Sequence, residues 1–138
     1  MKKMKKLGLM AASVLIVAVA FVAAAWWHST PRGKLPWSAQ NIRVCSKTYG
    51  VQGWTYYLRA DLPERDFLRF VSRFGATPYG ENSQMNDRDG HDVEWSGGPT
   101  EWWNPSPTKT NTYGLSNGMG LDILKYENGH VYFKSTGS

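Results

Sequence analysis

The chain of 138 residues has a single cysteine, Cys45, so no internal disulfide can staple it and its core must rest on packing alone. It also lacks acid at the front. Before residue 26 stand Lys2, Lys3, Lys5 and Lys6 and no Asp or Glu. Those four lysines supply most of the formal charge of +5, because the remainder carries 12 basic against 11 acidic residues. A folded part so near neutrality has no electrostatic footprint for a polyanion, and nucleic acid is not an expected partner. The length admits one modest domain and excludes a doubly wound or barrel enzyme. Seven asparagines lie beyond residue 26, none in an N-x-S/T sequon, which points to a bacterial rather than a eukaryotic envelope.

What the front does have is a long apolar run. Leu7 to Ala25 is nineteen residues without a charge. A helix of that length, at ~1.5 Å per residue, spans ~28 Å, close to the hydrocarbon thickness of a bilayer. Trp26 and Trp27 follow at once, where an aromatic belt meets the far interface. The expectation is a basic cytoplasmic tail over 1–6 and a transmembrane helix over 7–27. Only Arg32 and Lys34 lie close beyond the run, so the positive-inside bias sets the N-terminus in and the rest out. That places the chain in a bacterial inner membrane, with its domain in the periplasm or outside the cell. The alternative is a cleaved signal peptide, with Ala23 and Ala25 before the cut, and a secreted product. The sixteen residues from Leu7 to Val22 exceed the ~15 usual for the apolar part of such a peptide. Acylation fits the spacing less well still, since an acylated Cys directly follows the apolar run and Cys45 comes twenty residues after Ala25.

Residues 28–40 hold two prolines, a glycine and no periodicity, and read as a flexible tether. The domain is expected over 41–138. Ile42, Val44 and Ser46 alternate with Arg43, Cys45 and Lys47; after a glycine-bounded turn, Trp54, Tyr56, Leu58 and Ala60 alternate with Thr55, Tyr57, Arg59 and Asp61. These are two strands of a hairpin, and Cys45 reads as a small buried hydrophobe. Pro63, Glu64 and Asp66 suit a helix start. Phe67, Phe70, Val71 and Phe74 then make one apolar stripe, and Gly75 supplies the stop. Residues 76–117 read as polar loop with a short strand at Asp92–Trp95. At the C-terminus Asn128-Gly129 predicts a tight hairpin pairing Leu124 with Phe133, Tyr126 with Val131 and Glu127 with His130. One face then carries Leu124, Tyr126, Val131 and Phe133, the other Lys125, Glu127, His130, Tyr132 and Lys134. The expected fold is α+β: an antiparallel sheet in the order ββα-loop-ββ, two-layered, with one face on the helix and the other in solvent.

Candidate chemistry is sparse. Gly114-Leu115-Ser116-Asn117-Gly118 matches the nucleophile-elbow pattern, but a strand rather than a helix follows and the large scaffold is missing, so Ser116 reads as a loop residue. Asp87 to Glu94 packs four acids and His91 into eight residues. Counting an EF-hand from Gly90 puts Met85 and Ser96 where carboxylates are required, which leaves a solvated loop as the expectation and a looser calcium loop as the alternative. No His cluster or Cys pair calls for zinc. His28, His91 and His130 are far apart, and His130 beside Glu127 reads as a surface pair worth little. No catalytic activity, metal or cofactor is expected.

Two features remain for binding. Arg65, Arg69 and Arg73 stand four apart on the polar side of the helix, a cationic strip or simply its solvated face. Trp95, Trp102 and Trp103 lie within nine positions and are either a sugar-stacking platform or part of the core of a small domain without staples. The two tryptophans before Asn104-Pro105 point to opposite sides in extended chain, so one should pack and the other stay partly exposed. The sequence therefore predicts a membrane-anchored extracytoplasmic domain that binds an envelope protein as an accessory, inhibitory or immunity-type factor. A glycan-binding module built on the tryptophans is the alternative.

Overall fold

A computed structural model describes residues 2–51, 53–78, 95 and 97–137, in two compact units, residues 1–34 and Leu35–Ser138. The first unit is dominated by helix α1 (Lys2–Ser29). Its Ala12–Ser29 portion is long and apolar enough to cross a membrane, a description that a signal sequence would also meet. Val14, Ile16, Phe21 and Val22 all stand exposed. The hydroxyl of Thr30 donates to the Trp27 carbonyl at 2.7 Å and turns the chain after the helix. The Arg32 guanidinium lies 5.7 Å from the centre of the Trp27 ring.

The second unit holds β1 (Gln40–Thr48), β2 (Trp54–Asp61), α2 (Glu64–Phe74), β3 (Thr77–Pro78), β4 (Thr112–Ser116), β5 (Leu121–Glu127) and β6 (His130–Gly137). They form a six-stranded sheet in the order β1-β2-β6-β5-β4-β3, each neighbouring pair antiparallel. Both expected hairpins form. In β5–β6 Leu124 faces Phe133, Tyr126 faces Val131 and Glu127 faces His130. Asn128 at φ 51° and Gly129 at φ 81° take the two left-handed positions of the tight turn, which is what this dipeptide does readily. The hairpins join through β2 and β6, where Leu58 meets Phe133 and Ala60 meets Val131. Period-two alternation thereby sets Leu58, Ala60, Leu124, Val131 and Phe133 on one face.

Helix α2 covers that face with the stripe its spacing predicts. Phe67, Phe70 and Val71 are buried. Phe74 lies with its ring 4.9 Å from Phe133, and Phe67 sits between Tyr126 at 5.1 Å and Tyr113 at 5.5 Å. Each of these rings removes ~150–250 Å² from water, so aromatics supply the core that disulfides do not.

Four expectations change. The sheet has six strands rather than four, because Thr77–Pro78 and Thr112–Ser116 add to its edge. Ser116 therefore ends a strand instead of lying in a loop. The second face is not left to solvent: Lys125, Tyr132 and Lys134 are buried there, under a chain segment without periodicity. The tether expected over 28–40 also divides. Its first residues complete α1, while Leu35 and Pro36 are buried in the second unit, so packing begins before Asn41. Of the strand expected at Asp92–Trp95, only Trp95 is among the described residues, and it lies outside any strand.

Candidate functional site

The second face of the sheet is built around Trp103. This indole is buried and meets Tyr57 edge-on at 5.0 Å and Tyr132 edge-on at 5.4 Å, one ring from β2 and one from β6. Its Nε1–H donates to the Trp95 carbonyl at 2.6 Å, and the Trp95 ring, also buried, lies 5.9 Å away. Ile123 completes the buried cluster, with Cys45 and Leu121 packed at its margin. Cys45 is half-buried and its thiol is free. The segment can approach so closely because Gly98 has no side chain: a Cβ there would fall 2.0 Å from the Trp103 ring. Backbone bonds from the Trp102 and Trp103 amides to the Pro99 carbonyl, at 3.4 and 2.9 Å, form the turn that presents the two tryptophans. Trp102 is half-buried, 6.2 Å from Trp103 and edge-on to it. Two of the three clustered tryptophans are thus core residues, and Trp102 alone offers part of its ring.

Charged side chains of the sheet fasten this segment by its backbone. Lys125 is buried at 1% exposure, and its ammonium donates to the Ser106 carbonyl at 2.9 Å and to the Thr108 carbonyl and hydroxyl at 2.5 and 3.0 Å. All three of its protons therefore have partners. Burial pushes the Lys125 amine below its ordinary pKa, with the Glu127 charge opposing. Two residues on, Glu127 accepts from the Ser106 amide at 2.8 Å. Burial works against its ionisation, yet the Ser106 bonds and the Lys125 charge hold its carboxyl below the usual range. Lys47 reaches the Gly97 carbonyl at 2.5 Å, and the Tyr132 hydroxyl donates to the Asn104 side chain at 3.0 Å.

The same face carries a polar chain across three strands. Asn41 donates to Asp61 Oδ2 at 2.5 Å, His130 and Asp61 Oδ1 meet at 2.6 Å, and Arg59 meets His130 Nε2 at 2.9 Å. A guanidinium can only donate, so Nε2 accepts and Nδ1 carries the proton given to Asp61. The other arm of Arg59 donates to the Trp102 carbonyl at 2.9 Å, and its charge lies 5.7 Å from the Tyr132 ring centre. The Asn41 bond, against some desolvation and aided by His130 and Arg59, lowers the Asp61 pKa. His130 was expected to form a surface pair with Glu127. It faces Glu127 in the register but bonds Asp61 and Arg59, because Glu127 turns to Ser106. An oriented Asp–His pair is half of a general-base arrangement, but its Nε2 lone pair is already held by Arg59.

Arg65, Arg69 and Arg73 are exposed on α2, which packs on the opposite face from the tryptophans. The structure does not bring the two sets together. The arginines instead border a groove of about 530 Å³ with Pro36, Trp37, Ser38 and Asp66. Nothing in the periodicity of the chain signalled Trp37, since it lies in an aperiodic proline-flanked stretch. A second feature without a signal in the sequence is the outer side of β1. Among the described residues β1 pairs only with β2, and its Ile42 and Val44 are 36% and 43% exposed.

Other candidates contribute less. Ser116 is exposed at the end of β4. Asp87–Glu94, with His91, lies outside the described residues. Among the described residues no cluster of three His, Cys, Asp or Glu could hold a metal ion. Comparison with protein-family models, with curated proteins and with solved structures finds no match to this chain.

Proposed function

We propose that this chain is a single-pass, N-in/C-out protein of a bacterial inner membrane, whose extracytoplasmic domain binds an envelope protein without catalysing a reaction. The role that fits is an accessory, inhibitory or immunity-type factor. The lysine cluster, the apolar α1 and Trp26-Trp27 support the anchor and its orientation. The observation that carries the binding role is β1. It is nine residues long and contains no proline, and beyond the irregularity between Gln40 and Arg43 its ladder to β2 runs regularly. Natural sheets blunt edges with bulges and charge, as the irregularity at Gln40–Arg43, Arg43 and Lys47 do here, and the exposed Ile42 and Val44 are what such devices leave for a partner to cover. A partner segment added alongside β1 would gain main-chain hydrogen bonds, meet Ile42 and Val44 on one face and Arg43 on the other, and so favour alternating apolar and acidic residues.

The alternative, a glycan-binding module, rests on Trp102 alone, since Trp95 and Trp103 are buried. A photoreactive residue at Ile42 of the full-length protein in cells separates the two. The expected result is a discrete protein adduct that Val44→Lys suppresses. An adduct with polysaccharide from position 102, and none from position 42, would replace this reading with the alternative. Retention in the pellet through carbonate extraction tests the anchor, and an intact mass beginning at Trp26 would sink it.

A further inference from the structure

Among the described residues of the second unit, the two most exposed large hydrophobics, Trp37 and Val51, both lie outside β1. Trp37 is 102% exposed, which is unusual for a residue whose neighbours are fixed. Leu35 is buried in the core at 9% exposure and Pro36 is buried beside it. The Ser38 hydroxyl donates to Asp66 Oδ2 at 2.6 Å, and the Ala39 amide donates to the Pro36 carbonyl at 3.0 Å. The indole is therefore held out from a short, anchored turn. An indole combines an apolar body with one N–H donor, and the environment that suits both is a membrane–water interface.

Across the groove stand Arg65, Arg69 and Arg73. Among the described residues the one acid lining it is Asp66, which is bonded to Ser38 and 3.9 Å from Arg69. Its described lining thus carries three guanidinium groups against one carboxylate. Guanidinium groups are weakly hydrated and offer paired N–H donors that match phosphate and carboxylate oxygens alike, and the fully exposed indole beside them is what favours phosphates at a membrane interface. On the same helix Leu68 is 60% exposed, between Arg65 and Arg69 in sequence. Arginines alternating with an exposed Leu and an exposed Trp are the composition of a surface that lies on a membrane.

Chain length supplies the reach. Trp37 follows the end of α1 at Ser29 by eight residues, which span at most about 29 Å when extended. If α1 anchors the chain, the Trp37 face cannot leave the neighbourhood of the headgroup layer, and tethering raises its effective concentration there. Charge agrees: the first sixty residues contain no Asp or Glu to repel an anionic surface.

We infer that Trp37 with Arg65, Arg69 and Arg73 forms a docking surface for the anionic lipid headgroups of the membrane that holds α1. The inference rests on the anchored reading above.

The test uses the full chain reconstituted in vesicles of phosphatidylcholine alone, or of phosphatidylcholine with phosphatidylglycerol, with brominated acyl chains as the quencher. The readout is the difference in tryptophan quenching between the wild type and Trp37→Phe, which cancels Trp26 and Trp27. The expected result is a Trp37-dependent component with phosphatidylglycerol. It should be lost without that lipid, reduced at high salt, and lost in the triple variant Arg65→Gln, Arg69→Gln, Arg73→Gln. Equal quenching of wild type and Trp37→Phe in the anionic vesicles would overturn the inference. So would quenching indifferent to lipid charge and to the arginines. Carbonate extraction of the same vesicles reports separately on the anchor. If the chain is extracted, salt-sensitive, arginine-dependent co-sedimentation with phosphatidylglycerol vesicles still supports the surface, and its absence overturns it. A photoreactive residue at position 37 that captures a protein and no lipid would also overturn it.

Discussion

Arg59 and His130 lie on neighbouring strands, 71 residues apart in the chain, and the guanidinium donates to Nε2 of the imidazole at 2.9 Å. The ring is thereby fixed with its proton on Nδ1, directed at Asp61. Because the other arm of Arg59 holds the Trp102 carbonyl, this one residue connects the polar chain at the end of the sheet with the tryptophan segment. Its work is structural: it positions a backbone carbonyl and orients an imidazole.

A pH dependence follows from Asp61. Its folded-state pKa is lowered, with the Asn41 bond as the largest cause. The unfolded state therefore binds the proton more tightly as the solution is acidified. The stabilisation is complete above the ordinary value of 3.8 and is lost as pH falls through the lower folded-state value. With the carboxyl side chain 38% exposed, solvent screening limits the effect to about 1 kcal/mol or less. Thermal melts of wild type and Asp61→Asn should differ at pH 6 and converge toward pH 3. A constant difference across that range would remove Asp61 from the account.

The tryptophan pair should behave unequally. Trp103→Ala removes the centre of a buried aromatic cluster and should cost ~3–5 kcal/mol in denaturant unfolding. Trp102→Ala should cost about 1 kcal/mol, since its ring is half-buried and ends at the margin of the cluster. Gly98→Ala checks the same packing from the other side, because its methyl would strike the Trp103 ring and should cost about 1–3 kcal/mol. Equal losses for both tryptophans would mean that Trp102 is as much a core residue as Trp103.

Lys125→Met keeps the length of the side chain and removes its charge. It leaves the Ser106 and Thr108 carbonyls without their donor, so stability should drop by about 1–3 kcal/mol. Amide exchange should quicken at residues 106–110 more than at β5 itself. Uniform quickening across the domain would show a general loss of packing rather than release of this segment.

Several elements were legible because their signals are local. An apolar run of membrane-spanning length, an Asn-Gly turn flanked by alternating strands, and a 3.6-residue stripe of phenylalanines each specify structure within about twenty consecutive residues. The register Leu124 to Phe133 follows from the turn alone, and the exposure of Arg65, Arg69 and Arg73 from their spacing on the helix opposite Phe67 and Phe70. The unequal burial of Trp102 and Trp103 matches the expectation but not its reason: the pair lies on a turn closed by the Pro99 carbonyl rather than in extended chain.

Tertiary structure decided what lies on the second face. Lys125, Glu127, His130, Tyr132 and Lys134 alternate like a solvated strand face, and an aperiodic segment crossing above them buries Lys125, Tyr132 and Lys134 and half-buries Glu127 and His130. The bonds that hold that segment run from sheet side chains to its backbone: Lys125 to Ser106 and Thr108, Arg59 to Trp102, Lys47 to Gly97. Every residue has a backbone carbonyl, so the choice of acceptor leaves no trace in residue type or spacing. The same reason hides the Trp37 groove, which exists because Leu35 and Pro36 dock against the core and Ser38 bonds Asp66, 28 residues away. Local periodicity specifies strands, helix and turn, while which faces are covered, and by what, is settled by contacts between distant segments.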